Sequence, residues 1–140
     1  MLSRRLVAVA IAAALWACSA QTGATTQRGN DAVCAAYRSQ SSRIEVVASG
    51  KITRVLGVRS GRSGDHEGYL VRLDSACNLT VRIETNVTLT GAVPLHADES
   101  VAVKGEYEYY SRGGVIHWTH RDPRGNHEGG YVRASGVTYQ

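Results

Sequence analysis

The pattern of apolar and polar positions changes twice along the chain and divides it into a leader, a short helix and a run of strands. An unbroken apolar stretch covers residues 6–17. Apolar residues at helical spacing then predict a helix over residues 32–40, with Asp31 as its N-cap. From residue 44 onward many apolar residues recur at every second position. This period is typical of strands that bury one face.

Five strands follow from this alternation and from the turn residues between them. We place the first over residues 44–58, bent at Gly50 and Gly57, and a loop over residues 59–65. The remaining strands cover residues 69–73, 79–87, 101–110 and 115–120, and residues 125–140 form a loop that ends in a short Val/Tyr segment. The prediction is a mostly β fold, a small five-stranded OB-like barrel with a short N-terminal helix. An open antiparallel sheet or a small sandwich is the alternative.

The hairpin around residues 111–114 predicts a polar face. A loop of two or four residues sets Glu108 opposite His117 and Glu106 opposite Thr119, all pointing away from the core. The core face then carries Val101, Val103, Tyr107, Tyr109, Ile116 and Trp118. A carboxylate across from an imidazole lies at a Cβ separation of about 5 Å and fixes the tautomer of the ring. Such a pair suits a general base or a metal ligand, or it is an exposed pair worth under about 1 kcal/mol.

A group of histidines around this strand suggests metal binding. The predicted ligands are His117, His120 and Asp122, which suit Zn²⁺ or another divalent ion. His117 and His120 point to opposite faces of an ideal strand, so they share an ion only if the strand breaks between them. The wider predicted pocket consists of His66, Asn86, Glu106, Glu108, His117, His120, Asp122 and His127.

The first residues have the order of a secretory signal, with a basic start, an apolar run and small residues around Cys18. We expect residues 1–17 to be a lipoprotein signal peptide, with cleavage before Cys18 and lipidation of that cysteine. Cleavage after Ala20 is the alternative. Residues 18–30 are then a flexible tether, and residues 31–140 are the single domain. Ser19 favours an outer-membrane lipoprotein that faces the periplasm; cleavage after Ala20 would leave a soluble periplasmic protein.

Cysteine and charge content add two expectations. Cys34 and Cys77 remain as an even pair in an oxidising compartment, so we expect a disulfide between them. The net charge of +4 includes Arg4 and Arg5 of the leader, and the other arginines are scattered. Nucleic acid is therefore not a predicted partner, because its recognition needs a concentrated basic face.

Two strings stand out in the last part of the chain: Gly105-Glu106-Tyr107-Glu108, and Gly113-Gly114-Val115-Ile116-His117-Trp118-Thr119-His120 followed by Asp122-Pro123, Gly125 and His127. These strings resemble a family of small exported bacterial proteins, domain of unknown function 3465. The likeness is weak from about Cys34 and strong from Gly105 to the end. Members of that family typically carry a histidine and an asparagine as the third strand ends, and here Thr85 and Asn86 stand there. The resemblance implies export and assigns no activity.

Three hypotheses follow for the function. The first is a periplasm-facing binding module, held to the membrane by its lipid, whose polar pocket takes a small ligand or a metal ion. The second is a metal-assisted hydrolase of the phosphodiester class, with Glu106 or Glu108 as base. The third is a structural protein of the envelope, whose histidines form hydrogen bonds around a tight loop.

Overall fold

The computed structural model describes residues 29–75 and 77–140. The predicted signal peptide, Cys18 and most of the predicted tether lie outside the described residues. Within the described part of the chain, no helix is long and apolar enough to cross a membrane.

The predicted N-terminal helix is present and begins earlier than expected. Helix α1 covers Asn30–Arg38, with Gly29 as its N-cap and without a side-chain capping bond. The prediction that Asp31 caps the helix is wrong. Asp31 lies in the first turn, where its charge favours the positive end of the helix dipole. The side chain of Asn30 instead fastens the start of the helix, because its amide donates to the carbonyl oxygens of Ser49 and Asp74.

The described chain also contains seven strands and a second, four-residue helix. They are β1 (Ile44–Gly61), β2 (Gly64–Leu73), β3 (Thr80–Asn86), α2 (Val87–Thr90), β4 (Ser100–Glu108), β5 (Val115–His117), β6 (Tyr131–Ala134) and β7 (Val137–Tyr139).

Five of these strands form a ring. Their order is β1-β2-β3-β5-β4, and β4 pairs with β1 to complete it. The β3–β5 pairing is parallel and the other pairings are antiparallel. Strands β6 and β7 extend the sheet from the first half of β4. The expectation of a mostly β fold with an OB-like arrangement of five strands is confirmed.

The core lies inside the ring and is closed by α1. Apolar side chains at alternate positions of the strands point inward and are almost fully buried, as the period of two requires. The largest are Tyr69, Tyr107, Ile52, Ile83 and Ile116. The outward positions of β3, β4 and β5 carry most of the polar residues discussed below.

Two segments that we assigned to loops are strands. Residues 59–65 mostly extend β1 and β2, which pair as far as Gly61 and Gly64. This hairpin is exposed at its tip, so its sequence shows no alternation of apolar and polar residues. Near the C-terminus, Ser135 and Gly136 both have positive φ, at 49° and 77°. They form the tight turn between β6 and β7, which the short sequence pattern does not reveal.

The predicted disulfide is confirmed. Cys34 of α1 is bonded to Cys77, which lies between β2 and β3, and the two are 43 residues apart in sequence. The bond therefore ties the helix to the connection between β2 and β3.

The predicted register of the β4–β5 hairpin is wrong by two residues. Glu106 pairs with His117, and Glu108 pairs with Val115. The connection is longer than two or four residues because Gly113 and Gly114 adopt φ of 110° and 84° and fold it against the ring of Tyr107 and the backbone of Thr80. A shift of two keeps every paired side chain on its face, so Glu106, Glu108 and His117 still point outward.

Candidate functional site

The site lies on the outer face of the ring, where β4, β5 and β3 run side by side. Glu106 of β4 pairs directly with His117 of β5. Because Ile83 pairs with Ile116, Glu84 of β3 lies on the other side of His117. Three neighbouring strands therefore present two carboxylates and one imidazole in a row.

Glu106, Glu108 and His117 form the tightest group of possible metal ligands among the described residues. One ligand atom from each lies within 4.8 Å of the other two. The side chains of Glu106 and His117 are 19% and 37% exposed, so the group is partly shielded from water. His117 Nε2 is 3.5 Å from Glu106 Oε1 without forming a hydrogen bond. That nitrogen is buried and has no hydrogen-bond partner among the described residues.

The outer face around this group carries more acidic than basic charge. Glu84 is paired with Arg82, and Lys104 is paired with Glu128. Among the described residues, no lysine or arginine lies within ion-pair distance of Glu106 or Glu108.

Glu45 of β1 adds a further carboxylate beside Glu106. Burial, and then the charges of Glu128 and Glu106, raise the pKa of Glu45. Its Oε2 is buried and has no hydrogen-bond partner among the described residues. Glu45 and Glu106 therefore place two carboxylates side by side on this face.

The chain leaves the sheet directly after His117. Trp118 has a φ of 56°, which turns the backbone and ends β5. The prediction that Trp118 belongs to the core is wrong, because its ring is only half-buried and stacks on His127 at 3.9 Å between ring centroids. Thr119, which we placed on the outer face, is instead fully buried and hydrogen-bonds to Thr85.

His120 and Asp122 are used to shape the loop that follows. His120 is 6% exposed, and its Nδ1 donates to the carbonyl oxygen of Arg121. The carboxylate of Asp122 accepts N–H groups from Arg124, Asn126 and His127. These backbone hydrogen bonds, that of Arg124 foremost, lower the pKa of Asp122. Asp122 therefore folds residues 122–127 into a compact loop that holds His127 against Trp118.

The structure does not gather the metal ligands that we expected. His120 and Asp122 fall outside the close group, which combines His117 with the two glutamates of β4 instead. Both oxygens of Asp122 already accept backbone hydrogen bonds. The strand does break between His117 and His120, at Trp118, but His120 Nδ1 donates to the carbonyl oxygen of Arg121 and His120 stays outside the group.

His66 and Asn86 reach the same region from β2 and β3, where they pair with each other. His66 Nδ1 donates to the carbonyl oxygen of Gly64, and the Asn86 amide donates to the carbonyl oxygen of Ser63. The two residues thus fix the β1–β2 turn against the start of α2.

A cleft of about 800 Å³ joins these parts. Seven of the eight predicted pocket residues line it: His66, Asn86, Glu108, His117, His120, Asp122 and His127. The eighth, Glu106, is paired with His117 and is not among the lining residues. Lining residues that the sequence did not single out include Glu84, Leu89, Tyr110, Trp118, Arg124 and Asn126. The alternation of β3 already placed Glu84 on the face of Asn86. What the sequence lacked was a signal that β3 lies beside β5.

A family model described as "Protein of unknown function (DUF3465)" matches residues 15–140. The match covers the whole described part of the chain, including the cleft. No curated protein and no solved structure matches this chain.

Proposed function

The chain belongs to the family of proteins of unknown function DUF3465. We propose that it is an exported binding module. The observation that carries the proposal is the cleft of about 800 Å³ on the outer face of the ring. Its volume is within the range of about 300–1,000 Å³ found for sites that enclose small molecules. Its lining combines imidazoles, carboxylates and the indole of Trp118, so it suits a small polar ligand.

Charge supports a ligand with cationic character. Glu106 and Glu108 have no lysine or arginine at ion-pair distance among the described residues, and Glu45 stands beside Glu106. The half-buried indole of Trp118 offers an aromatic surface at the same site. A cation held between carboxylates and an aromatic ring gains from both contacts.

Thermal unfolding of the purified protein tests the binding role. The probe is the low-molecular-mass fraction of a periplasmic extract, added with EDTA so that any effect is independent of divalent metal. We expect a higher Tm, because a ligand at 100 times its Kd stabilises the folded state by about 2.7 kcal/mol. The effect should be lost in Trp118→Ala and kept in His96→Ala, since His96 is exposed and lies outside the cleft. An equal rise in both variants, or none in the parent protein, would contradict the binding role.

The proposed location is the periplasmic face of the outer membrane, with Cys18 as the lipid anchor. Two features support it, the apolar leader with Cys18 at its end and the disulfide between Cys34 and Cys77. Globomycin, which blocks the lipoprotein signal peptidase, should cause the unprocessed precursor to accumulate, as should Cys18→Ala. Normal processing under both conditions would reject the lipid anchor and leave cleavage after Ala20.

A metal-assisted hydrolase of the phosphodiester class is the second candidate. The observation that favours it is the close group of Glu106, Glu108 and His117 at the edge of the cleft. Three protein ligands leave coordination positions free for water, as catalytic zinc sites require. Turnover of bis(4-nitrophenyl) phosphate by zinc-loaded protein, lost in His117→Ala, would establish this activity. Binding without turnover would favour the module.

The third possibility, a purely structural role, fits part of the site. His66 and His120 each donate to a backbone carbonyl oxygen, as that role predicts. His117 makes no such bond among the described residues, since its Nε2 is buried without a partner. The structural interpretation therefore accounts for His66 and His120 and leaves His117 unexplained.

A further inference from the structure

We propose that Glu106, Glu108 and His117 bind one divalent transition-metal ion at the edge of the cleft. This inference deepens the proposed binding function, on which it rests, by naming the ligand class of one part of the site. It assigns a different ligand set from the one expected from the sequence.

The backbone holds the three residues in a suitable arrangement. Glu106 and Glu108 lie two positions apart on β4 and therefore share its outer face, and His117 is paired with Glu106 on β5. Their ligand atoms lie within 4.8 Å of one another. Bonds of about 2.1 Å to zinc bring neighbouring ligand atoms to about 3.4 Å in a tetrahedral site. Rotation of the two flexible glutamate side chains is sufficient to close that difference.

The polar atoms at this position lack other partners. His117 Nε2 is buried and makes no hydrogen bond within the described part of the chain. A buried polar atom without a partner is destabilising by about 1–3 kcal/mol. A metal ion at Nε2 would satisfy this nitrogen and would also compensate the charges of Glu106 and Glu108, which have no lysine or arginine at ion-pair distance among the described residues.

The neighbouring carboxylates strengthen the attraction for a cation. Glu45 lies beside Glu106 on β1, and its Oε2 is buried without a hydrogen-bond partner among the described residues. Glu45 therefore adds a further carboxylate next to one of the three ligands. Glu84, on the other side of His117, is already paired with Arg82 and is not needed as a ligand.

The donor set selects among metals. An imidazole nitrogen favours zinc, nickel, copper or iron, whereas magnesium and calcium prefer oxygen ligands alone. The two carboxylates also admit manganese. We therefore expect zinc to bind more tightly than manganese, and both to bind more tightly than magnesium or calcium. Three protein ligands leave at least one position open toward the cleft, where a ligand oxygen or water can bind.

Isothermal titration of the chelator-stripped protein with zinc chloride is the test. The parent protein should bind one zinc ion per chain. His117→Ala should weaken the affinity by at least about 100-fold, since loss of an outer-shell partner alone weakens metal sites by about 10–100-fold. Glu106→Gln and Glu108→Gln should each weaken it clearly. They also retain side-chain shape, so they report on the site if His117→Ala fails to fold.

His96→Ala is the matched control, because it removes one exposed histidine that lies outside both the group and the cleft. This variant should bind zinc as the parent protein does. The proposal is overturned if zinc does not bind, if His117→Ala binds it with unchanged affinity, or if the site is lost in His120→Ala and kept in His117→Ala. The Tm rise measured with EDTA is independent of zinc. If the Tm rise persists and zinc does not bind, the binding module is retained and only the metal site is rejected. If neither the Tm rise nor zinc binding is observed, both proposals are rejected.

Discussion

Replacing Gly105 with alanine is expected to destabilise the protein by about 3 kcal/mol, the upper part of the usual range for overpacking a core. Gly105 lies on β4 between Lys104 and Glu106, at an inward position that pairs with Val46. A Cβ atom there would overlap the carbonyl oxygen of His117, and it would lie 3.1 Å from both Ile116 Cγ2 and Thr119 Cγ2. The backbone oxygen belongs to β5 and cannot move without shifting the strand.

Urea unfolding of Gly105→Ala measures this effect, with Gly129→Ala as the control. The nearest atom to a Cβ at position 129 is 3.9 Å away, an ordinary contact, so that variant should stay within about 0.5 kcal/mol of the parent. Because the displaced atom belongs to His117, Gly105→Ala should also weaken zinc binding. If it is as stable as Gly129→Ala, the close approach of β4 and β5 is wrong, and the register that opposes Glu106 to His117 fails with it.

Removing the disulfide is expected to have the second large effect. Cys34 and Cys77 close a loop whose ends are 43 residues apart, which corresponds to about 4 kcal/mol of stabilisation in the chain-entropy model. Without the bond, α1 is held to the ring by packing of Val33 and its neighbours and by the hydrogen bonds of Asn30. We therefore expect unfolding at lower urea concentration and early loss of the helix.

The measurement compares urea midpoints with and without dithiothreitol for the parent protein and for the Cys34→Ala, Cys77→Ala double variant. Reductant should lower the midpoint of the parent protein to near that of the variant and leave the variant unchanged. Equal midpoints for the parent in both conditions would show that the two thiols are not bonded in the folded protein.

Local sequence patterns correctly predict the elements that bury one face and expose the other. Strand β3 was expected at residues 79–87 and is found at Thr80–Asn86, because Val81 and Ile83 alternate with polar neighbours and point into the core. The same parity placed Glu106, Glu108 and His117 on one face. Their grouping survived an error of two residues in the register, since such a shift does not change the face of a side chain.

The errors arise where a backbone angle or a distant contact decides the outcome. The alternation of side chains between the two faces of a strand predicts Trp118 in the core. The positive φ of Trp118 instead turns the backbone, and Thr119 points into the core in its place. The spacing of Asp122 also does not reveal that its carboxylate accepts three backbone hydrogen bonds within its own loop. The parallel pairing of β3 with β5 joins distant segments and brings Glu84 to the site, and no periodicity within either segment indicates it.

We propose that this protein binds its ligand in the cleft on the outer face of β3, β4 and β5. The test is a long-range ¹H–¹⁵N spectrum of the histidine side chains, recorded before and after adding the low-molecular-mass periplasmic fraction. His117 and His127 line the cleft, and His96 is an internal reference outside it. We predict that the signals of His117 and His127 move while that of His96 stays in place. Unchanged cleft signals in a sample whose Tm has risen, or a shift of His96 as large as theirs, would show that the ligand does not bind in the cleft.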